Sequence, residues 1–459
     1  MNSIDIERIY SNDYADFLVS FCSDVSVLEQ YETGSVNIIN YFYAVAHLPV
    51  SIMTENVISR MGYASIPSLF GLVSQTSLEV SGIPAIRNNP NLNLRGRGVL
   101  IGFVDTGIDY TNPVFQYNDK TTRISSIWDQ TIITENNQEH VPYGTEYTRE
   151  QINEALQADD PFGVVPSRDE IGHGTMIAGI AAGNEDIENG FSGVAPEAEL
   201  VIVKLKPAKP YLKEFFRVPE DAIAYQETDL IYGIQYLMDY AALRDQPIVM
   251  CIAVNTAQYA HDGRGSTSNW LSFHSTRPRL GILIPVGNEG IARRHFGGFI
   301  TEESNHKTVE LNVGPDTYFI NSDPNITLLS LSCAITPISV TAYNTANNSL
   351  YINSGRGYTR VNIVKPEIAA PGVDLLSPSL NHGFVSVTGT SAAAAHAAGA
   401  AALMFEWGIV KGNYPEMSTE DLKVFMIRGA KREADLVYPN YEWGYGRLDV
   451  FNIFRALTV

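Results

Sequence analysis

From Gly98 onward the chain alternates short apolar runs with segments of helical pattern. The runs "GVLIGFV", "AELVIVKL", "QPIVMCIAV", "LGILIPVG" and "ITPISVTAY" are continuously apolar. A strand with no polar face is buried on both sides, as in a parallel sheet covered by helices. "DLIYGIQYLMDYAALR", "TSAAAAHAAGAAALMFEWG" and "STEDLKVFMIRGA" supply helices of suitable length. The expected fold class is therefore α/β, with a mainly parallel sheet covered by helices on both faces. In such sheets function gathers beyond the carboxyl ends of the strands. Asp105 directly follows "GVLIGFV" and Asn288 directly follows "LGILIPVG", so both belong on one edge of the sheet.

Residues 1 to about 75 read differently. "NYFYAVAHLPV" reads as a strand, "SIMTENVISRMG" as a helix and "SIPSLFGLVSQ" as a returning strand, a small α+β unit. The segment after it, "TSLEVSGIPAIRNNPNLNLRGRG", is dense in Asn, Pro and Gly and reads as a linker. A chain of 459 residues suffices for one large α/β domain plus a small one.

The formal net charge of −20 argues against nucleic acid and anionic membranes as partners, because both repel it. No run approaches the ~18 apolar residues of a membrane span. "MNSIDIERIYSNDYADF" has neither a basic n-region nor an apolar h-region, so no signal peptide is expected. Cys22, Cys251 and Cys333 are far apart and odd in number, which points to a reducing, cytoplasmic compartment rather than a disulfide framework. There is no H-E-x-x-H and no clustered Cys/His spacing, so no metal ligand or cofactor is expected.

Four positions could carry chemistry. Asp105 stands in Asp-Thr-Gly, a setting shared by two protease chemistries. A carboxylate dyad needs a second such motif to share a proton, and "NSGRG" at 353–357, which has no acid, is the nearest. The remaining readings are an aspartate that orients a histidine and an aspartate that caps a turn. His173 lies between two glycines in "DEIGHGTMIAGIAAG", where the missing side chains would leave a substrate backbone room. Ser391 opens a helix of small residues in "SVTGTSAAAAHAAGAAALM". A serine there is most often an N-cap, yet the free N–H groups of a helix start also stabilise charge developing at an attacked carbonyl. Asn288, in "PVGNEG", is either a turn residue or an amide donor to an oxyanion.

The order Asp, His, Ser distinguishes this chain from the chymotrypsin and α/β-hydrolase orders. "VDTGID", "GHGTMIAGIAAG" and "GTSAAAAHAAGAAAL" resemble the three signature blocks of subtilisin-like serine proteases, and "FSGVAPEAELVIVKL" and "VKPEIAAPG" resemble the segments between them. The resemblance runs from about Gly98 to Leu457. It implies a serine endopeptidase with Ser391 as nucleophile, His173 as general base and then acid, and Asp105 orienting the imidazole. Asn288 and the Ser391 N–H would form the oxyanion hole. The implied substrate is a protein or peptide.

A narrower resemblance, through "FFRVPEDAIAYQETDLIYGIQYL", "AHDG" and "YPNYEWGYGRLDVFNIF", is to clostridial Csp-type subtilases. Some of those activate a zymogen in spore germination, which adds a zymogen as substrate and the spore as location. Others have lost catalytic residues and act as regulators that bind a partner protease or zymogen, the alternative reading here.

Two departures stand out. Csp-type relatives carry a jelly-roll insertion between the asparagine and serine blocks, whereas 103 positions separate Asn288 from Ser391 here. A short remnant is expected near residues 305–330. The specificity strand reads Ala253-Val254-Asn255 in place of Ser-Leu-Gly, so Asn255 would put a side chain beside the pocket for P1, the substrate residue before the scissile bond. By the same resemblance residues 1–75 are a prodomain, chaperone and bound inhibitor of the catalytic domain at 76–459. The family's catalytic aspartate lies about thirty residues into the mature chain. That count puts self-cleavage between Gln75 and Thr76.

Overall fold

The computed structural model describes residues 3–31, 34–54, 56–67, 69–70, 79–134, 140–293, 295–302, 305–312, 319–320 and 322–457. An N-terminal lobe comprises α1 (Ser3–Tyr10), β1 (Tyr14–Ser20), β2 (Ser35–Ile38), β3 (Tyr43–Pro49), α2 (Val57–Met61) and the two-residue strand β4 (Leu69–Phe70). β1 and β2 both pair antiparallel with β3. β3 is the strand expected within "NYFYAVAHLPV". The helix expected over "SIMTENVISRMG" is only the five-residue α2, because it starts late: Val50–Ile52 form a separate 3-10 turn and the helix begins at Val57. The returning strand is likewise short, and β4 pairs outside the lobe. Residues 71–75 of that run lie outside the described residues.

The larger part of the chain begins with α3 (Ile83–Arg87), β5 (Leu100–Asp105), β6 (Ile124–Asp129), β7 (Thr145–Thr148), α4 (Arg149–Gln157), α5 (Pro161–Val164) and α6 (His173–Ala182). Then come β8 (Glu199–Lys204), α7 (Pro210–Phe215), β9 (Tyr225–Gln226), α8 (Glu227–Leu243), β10 (Ile248–Cys251), α9 (Ser266–His274) and β11 (Leu280–Pro285). A hairpin, β12 (His295–Glu302) and β13 (Asn305–Asn312), precedes β14 (Ile338–Tyr343), β15 (Ile368–Pro371), β16 (Leu375–Pro378) and β17 (Phe384–Val387). The last elements are α10 (Thr390–Phe405), α11 (Thr419–Gly429) and α12 (Val450–Leu457).

The sheet order is β15-β14-β11-β10-β5-β8-β6-β7. Its neighbours are parallel except β6 and β7. β5, β10 and β11 are buried at every position, as unbroken apolar runs require. β6 was not foreseen, because Ser125 and Ser126 interrupt its apolar run. Hydrophobic clusters lie on both faces, one against α6, α10, α11 and α12 and the other against α8 and α9. The second also takes in Ile9, Leu18, Tyr43 and Val45, so the N-terminal lobe packs on the α8 side.

Every residue of α10 is buried. Its alanines follow from that, since a helix enclosed by β10, β11, β14 and α6 has room only for small side chains. With the turn that continues it, Thr390–Val410 is long and apolar enough to cross a membrane. This corrects the expectation that no run approaches that length: accumulated alanine, not large aliphatic residues, makes the segment apolar. Here the segment is a core helix.

At the far end of α10, Glu406 is buried and its Oε2 accepts hydrogen bonds from the N–H groups of Arg95 (2.6 Å), Gly96 (2.6 Å) and Arg97 (3.2 Å). It thereby fastens the segment leading into β5 to the helix that carries Ser391. Removing one partner from a buried charged cluster costs about 3–5 kcal/mol. Glu406→Ala is expected to lower the unfolding free energy by that much, read as a lower urea midpoint at unchanged m-value. Glu406→Gln, which keeps an acceptor, should lose less. An alanine variant within about 1 kcal/mol of wild type would disprove the role.

Candidate active site

The parallel strands β5, β10 and β11 lie side by side, so the residues that follow them emerge together. Asp105 ends β5, Ala253 follows β10 by two residues, and Asn288 follows β11 by three. α10 starts over the same edge.

Asp105 is 1% exposed and its Oδ1 accepts from His173 Nδ1 at 2.7 Å and from the Thr106 N–H at 2.8 Å. His173 is the first residue of α6. The flanking glycines serve the backbone, which revises the reason expected from sequence. A Cβ on Gly174 would sit 2.1 Å from the Gly107 carbonyl oxygen, so only glycine lets α6 close on the Asp105 turn. Gly172 holds φ at 89°, the left-handed region that favours glycine.

Asp169, which the sequence reading passed over, holds this turn together. Its Oδ1 accepts from Thr106 Oγ1 (2.8 Å), Gly172 N (2.7 Å) and Ile171 N (3.2 Å), and its Oδ2 from Thr175 N (2.9 Å) and Oγ1 (2.7 Å). Thr106 Oγ1 in turn accepts from the Gly174 N–H at 2.9 Å. One buried carboxylate thus fixes both the Asp105 turn and the first turn of α6. The signal was an acid four residues before a histidine at a helix start, where N–H groups lack intrahelical partners.

Ser391 is fully buried at the second position of α10, which begins at Thr390, one residue earlier than the sequence reading began the helix. Its Oγ donates to the Ala253 carbonyl at 3.2 Å. Asn288 is half-buried, and its Oδ1 accepts from the Thr390 N–H at 3.2 Å. That bond turns the amide nitrogen away from Thr390. Thr390 Oγ1 accepts from the Gly287 N–H at 3.1 Å, which binds the helix start to the segment after β11.

The specificity-strand residues are buried as well. Val254 packs into the cluster on the α8 face. Asn255 is 3% exposed; its Nδ2 donates to the Pro285 carbonyl (2.9 Å) and its Oδ1 accepts from the N–H groups of Thr256 (2.9 Å) and Leu331 (3.0 Å). Its amide therefore joins the ends of β10 and β11 to the segment around Leu331. Gln75 and Thr76 lie outside the described residues.

Burial, and then the Asp105 charge, raise the Cys251 thiol well above its usual range, which keeps this neighbour of the edge neutral. His396 lies five residues after Ser391 in α10, and burial lowers it to about 3, so it stays uncharged. Its Nε2 is 2.6 Å from Ser81 Oγ. A groove of about 610 Å³ adjoins the Asp105 turn and the start of α6, lined in part by Asp109, Phe162, Arg168, Asp169, Leu380 and His382.

Comparison with known proteins agrees with this architecture. The Subtilase family pattern (Peptidase_S8) matches residues 96–446. The chain is 23% identical over 360 residues to a subtilisin of Bacillus sp. (strain TA39), covering 78% of this chain and 67% of that protein. It is 24% identical over 327 residues to an intracellular serine protease of Paenibacillus polymyxa, covering 71% of each. Among solved structures it is similar to the CspB protease of Clostridium perfringens, with 28% identity and a TM-score of 0.71 over 83% of this chain and 98% of that one. Most of the chain thus carries one family's pattern, and the protein belongs to the subtilases, as a subtilisin-like serine endopeptidase.

Proposed function

We propose that peptide hydrolysis proceeds through Asp105, His173 and Ser391 with an acyl-enzyme intermediate. The observation that carries this reading is the 2.7 Å bond from His173 Nδ1 to Asp105. It commits Nδ1 to the carboxylate and leaves Nε2 as the atom that takes a proton. For attack, the Ser391 hydroxyl passes its hydrogen bond from the Ala253 carbonyl to Nε2, a tightening common when substrate binds. The proton then goes to the leaving amine. Asp105 stays ionised and stabilises the imidazolium. The Asn288 amide and the Ser391 N–H at the helix start receive the oxyanion.

These groups act as a unit, so their losses should not add. Each of Asp105→Ala, His173→Ala and Ser391→Ala is expected to lower kcat by about 10⁴-fold or more, and the triple variant by little beyond the worst single. Asn288→Ala should cost about 10²–10³ in kcat. Labelling by a fluorophosphonate should vanish in Ser391→Ala. Additive losses, or labelling that survives that change, would rule out the assignment.

At the P1 site, Asn255 stands where a glycine is usual, and a small or polar P1 residue is the proposed preference. The accepted set should widen in Asn255→Gly, read by cleavage of a peptide library. A wild-type preference for Phe or Tyr at P1 would refute this.

The N-terminal lobe acts as prodomain in this reading. β4 supports it by pairing antiparallel with β9, Leu69 opposite Gln226 and Phe70 opposite Tyr225. An extended peptide adds to a protease edge in the same manner. β9 is therefore proposed as the edge that holds substrate on the N-terminal side of the scissile bond. Self-cleavage between Gln75 and Thr76 is expected, with the lobe still bound afterwards. N-terminal sequencing should find Thr76 in wild type and an intact chain in Ser391→Ala. An intact but active wild type would exclude autoprocessing, and a cut that persists in the mutant would point to another protease.

β13 and the segment after it, near residues 305–330, are proposed as the remnant of the family insertion. The Csp-type resemblance favours limited proteolysis of a zymogen, in the cytoplasm or the spore, as the biological role.

A further inference from the structure

β9 is two residues long and stands apart from the main sheet, so its own ladder does little to hold it in place. Its rigidity must come from side chains. The Gln226 side chain is fully buried. Its Nε2 donates to Asp16 Oδ2 at 2.7 Å and to Thr228 Oγ1 at 2.8 Å, and its Oε1 accepts from the Lys209 N–H at 3.2 Å. Of these partners Asp16 alone belongs to the N-terminal lobe.

Asp16 is itself held from several directions. It is 2% exposed; its Oδ1 accepts from Lys209 Nζ at 2.8 Å and from His47 Nδ1 at 2.6 Å. Asn37 Nδ2 meets His47 Nε2 at 2.8 Å, which directs the Nδ1 proton to Asp16. The Tyr211 hydroxyl clasps the Asp16 main chain, accepting from its N–H (2.8 Å) and donating to its carbonyl (2.9 Å). Burial alone would raise the Asp16 carboxyl, but Lys209 and His47 more than offset this and hold it well below the usual carboxylate range. The charge facing Gln226 is therefore permanent. Lys209 is 4% exposed and also donates to the Arg8 and Tyr14 carbonyls, so its ammonium too is solvated by the lobe.

We propose that Asp16 is a positioning residue for the substrate-binding edge, acting across the seam through Gln226 and Lys209. The N-terminal lobe then does more than present its own tail. It completes the strand on which substrate lies, and it serves as a working subunit after any cleavage. The inference rests on the proposed reading of β9 as that edge.

The test uses the full chain, with active Ser391 titrated by a fluorophosphonate. Two substrates are compared: a simple p-nitrophenyl ester that stops short of β9, and a six-residue peptide amide that reaches it. In Asp16→Asn, the loss of a hydrogen bond to a charged group should raise KM for the peptide by about tenfold or more. Its kcat and the ester rate per titrated site should stay within about twofold. Tyr211→Phe, which frees the Asp16 main chain without altering β9, should give the same split and carries the comparison if Asp16→Asn does not fold. Equal losses on both substrates would reduce Asp16 to a structural role. An unchanged or lower peptide KM would mean the lobe only holds its own tail. Either result overturns the proposal. A wild-type chain that neither takes the label nor hydrolyses the ester fails the reading of Ser391 itself, and that is known before any variant is compared.

Discussion

The arrangement depends on a helix enclosed on every side. Because α10 is buried along its whole length, it approaches its neighbours at backbone distance, and alanine and glycine are the residues that permit this. A Cβ on Gly399 would lie 2.4 Å from the Val194 Cβ. Close approach leaves the helix little freedom to slide or roll. Its start is therefore fixed relative to the ends of β10 and β11, where Ser391 meets the Ala253 carbonyl and Thr390 meets Gly287 and Asn288. Glu406 fixes the opposite end to the segment that leads into β5. In the proposed mechanism Ser391 must meet a histidine from another element, which needs that kind of two-ended restraint.

The second restraint is local and polar. Asp105 is fixed by its strand, but His173 begins a helix, and helix starts fray unless their N–H groups find acceptors. Asp169 and Thr106 supply those acceptors to Gly172, Gly174 and Thr175. Small residues allow the approach and a buried carboxylate sets its register. The 2.7 Å contact between His173 and Asp105 is the outcome. In the proposed mechanism it lets the imidazole start in its working tautomer, with no reorientation during the reaction.

Much of this was legible in the sequence where one physical demand dominates. Unbroken apolar runs mean burial on both faces, and β5, β8, β10, β11 and β14 follow from that alone. The shared edge for Asp105 and Asn288 follows from the parallel sheet. Elements shaped by competing demands were not legible. β6 sets two adjacent serines between large residues, because Ser126 bonds Glu146 and Tyr236 while Trp128 and Ile127 fill the core. α2 was overestimated because the first residues of its run form a separate turn at Val50–Ile52. The glycines beside His173 were noticed for a different reason, since room for a neighbouring backbone and room for a substrate give the same residue. Asp169 had no periodic pattern to mark it, and nothing in the sequence marked the bonds by which the Asn255 amide spans strand ends. Such roles depend on partners distant in sequence.

The seam between lobe and catalytic domain shows how charge is divided. Lys206, Lys209 and Asp229 come from one side and Asp16 from the other, all nearly inaccessible to water. Asp229 is raised by burial, with Lys206 opposing, and it accepts from the Tyr143 hydroxyl at 2.6 Å. Taken alone, the catalytic side of the seam holds an excess ammonium and the lobe an excess carboxylate. Only the assembled pair is neutral. Separation would expose both charges to water, which makes it feasible in principle, but it would also open the apolar cluster in which Ala15, Phe17 and Ala46 pack against Tyr211, Leu212 and Ala224. An apolar contact of that kind favours retention, and a complementary charge pair fixes the register in which retention occurs. Gln226 belongs to this seam by its side chain and to β9 by its backbone, so the register of the lobe and the geometry of the proposed substrate edge are set by the same contacts.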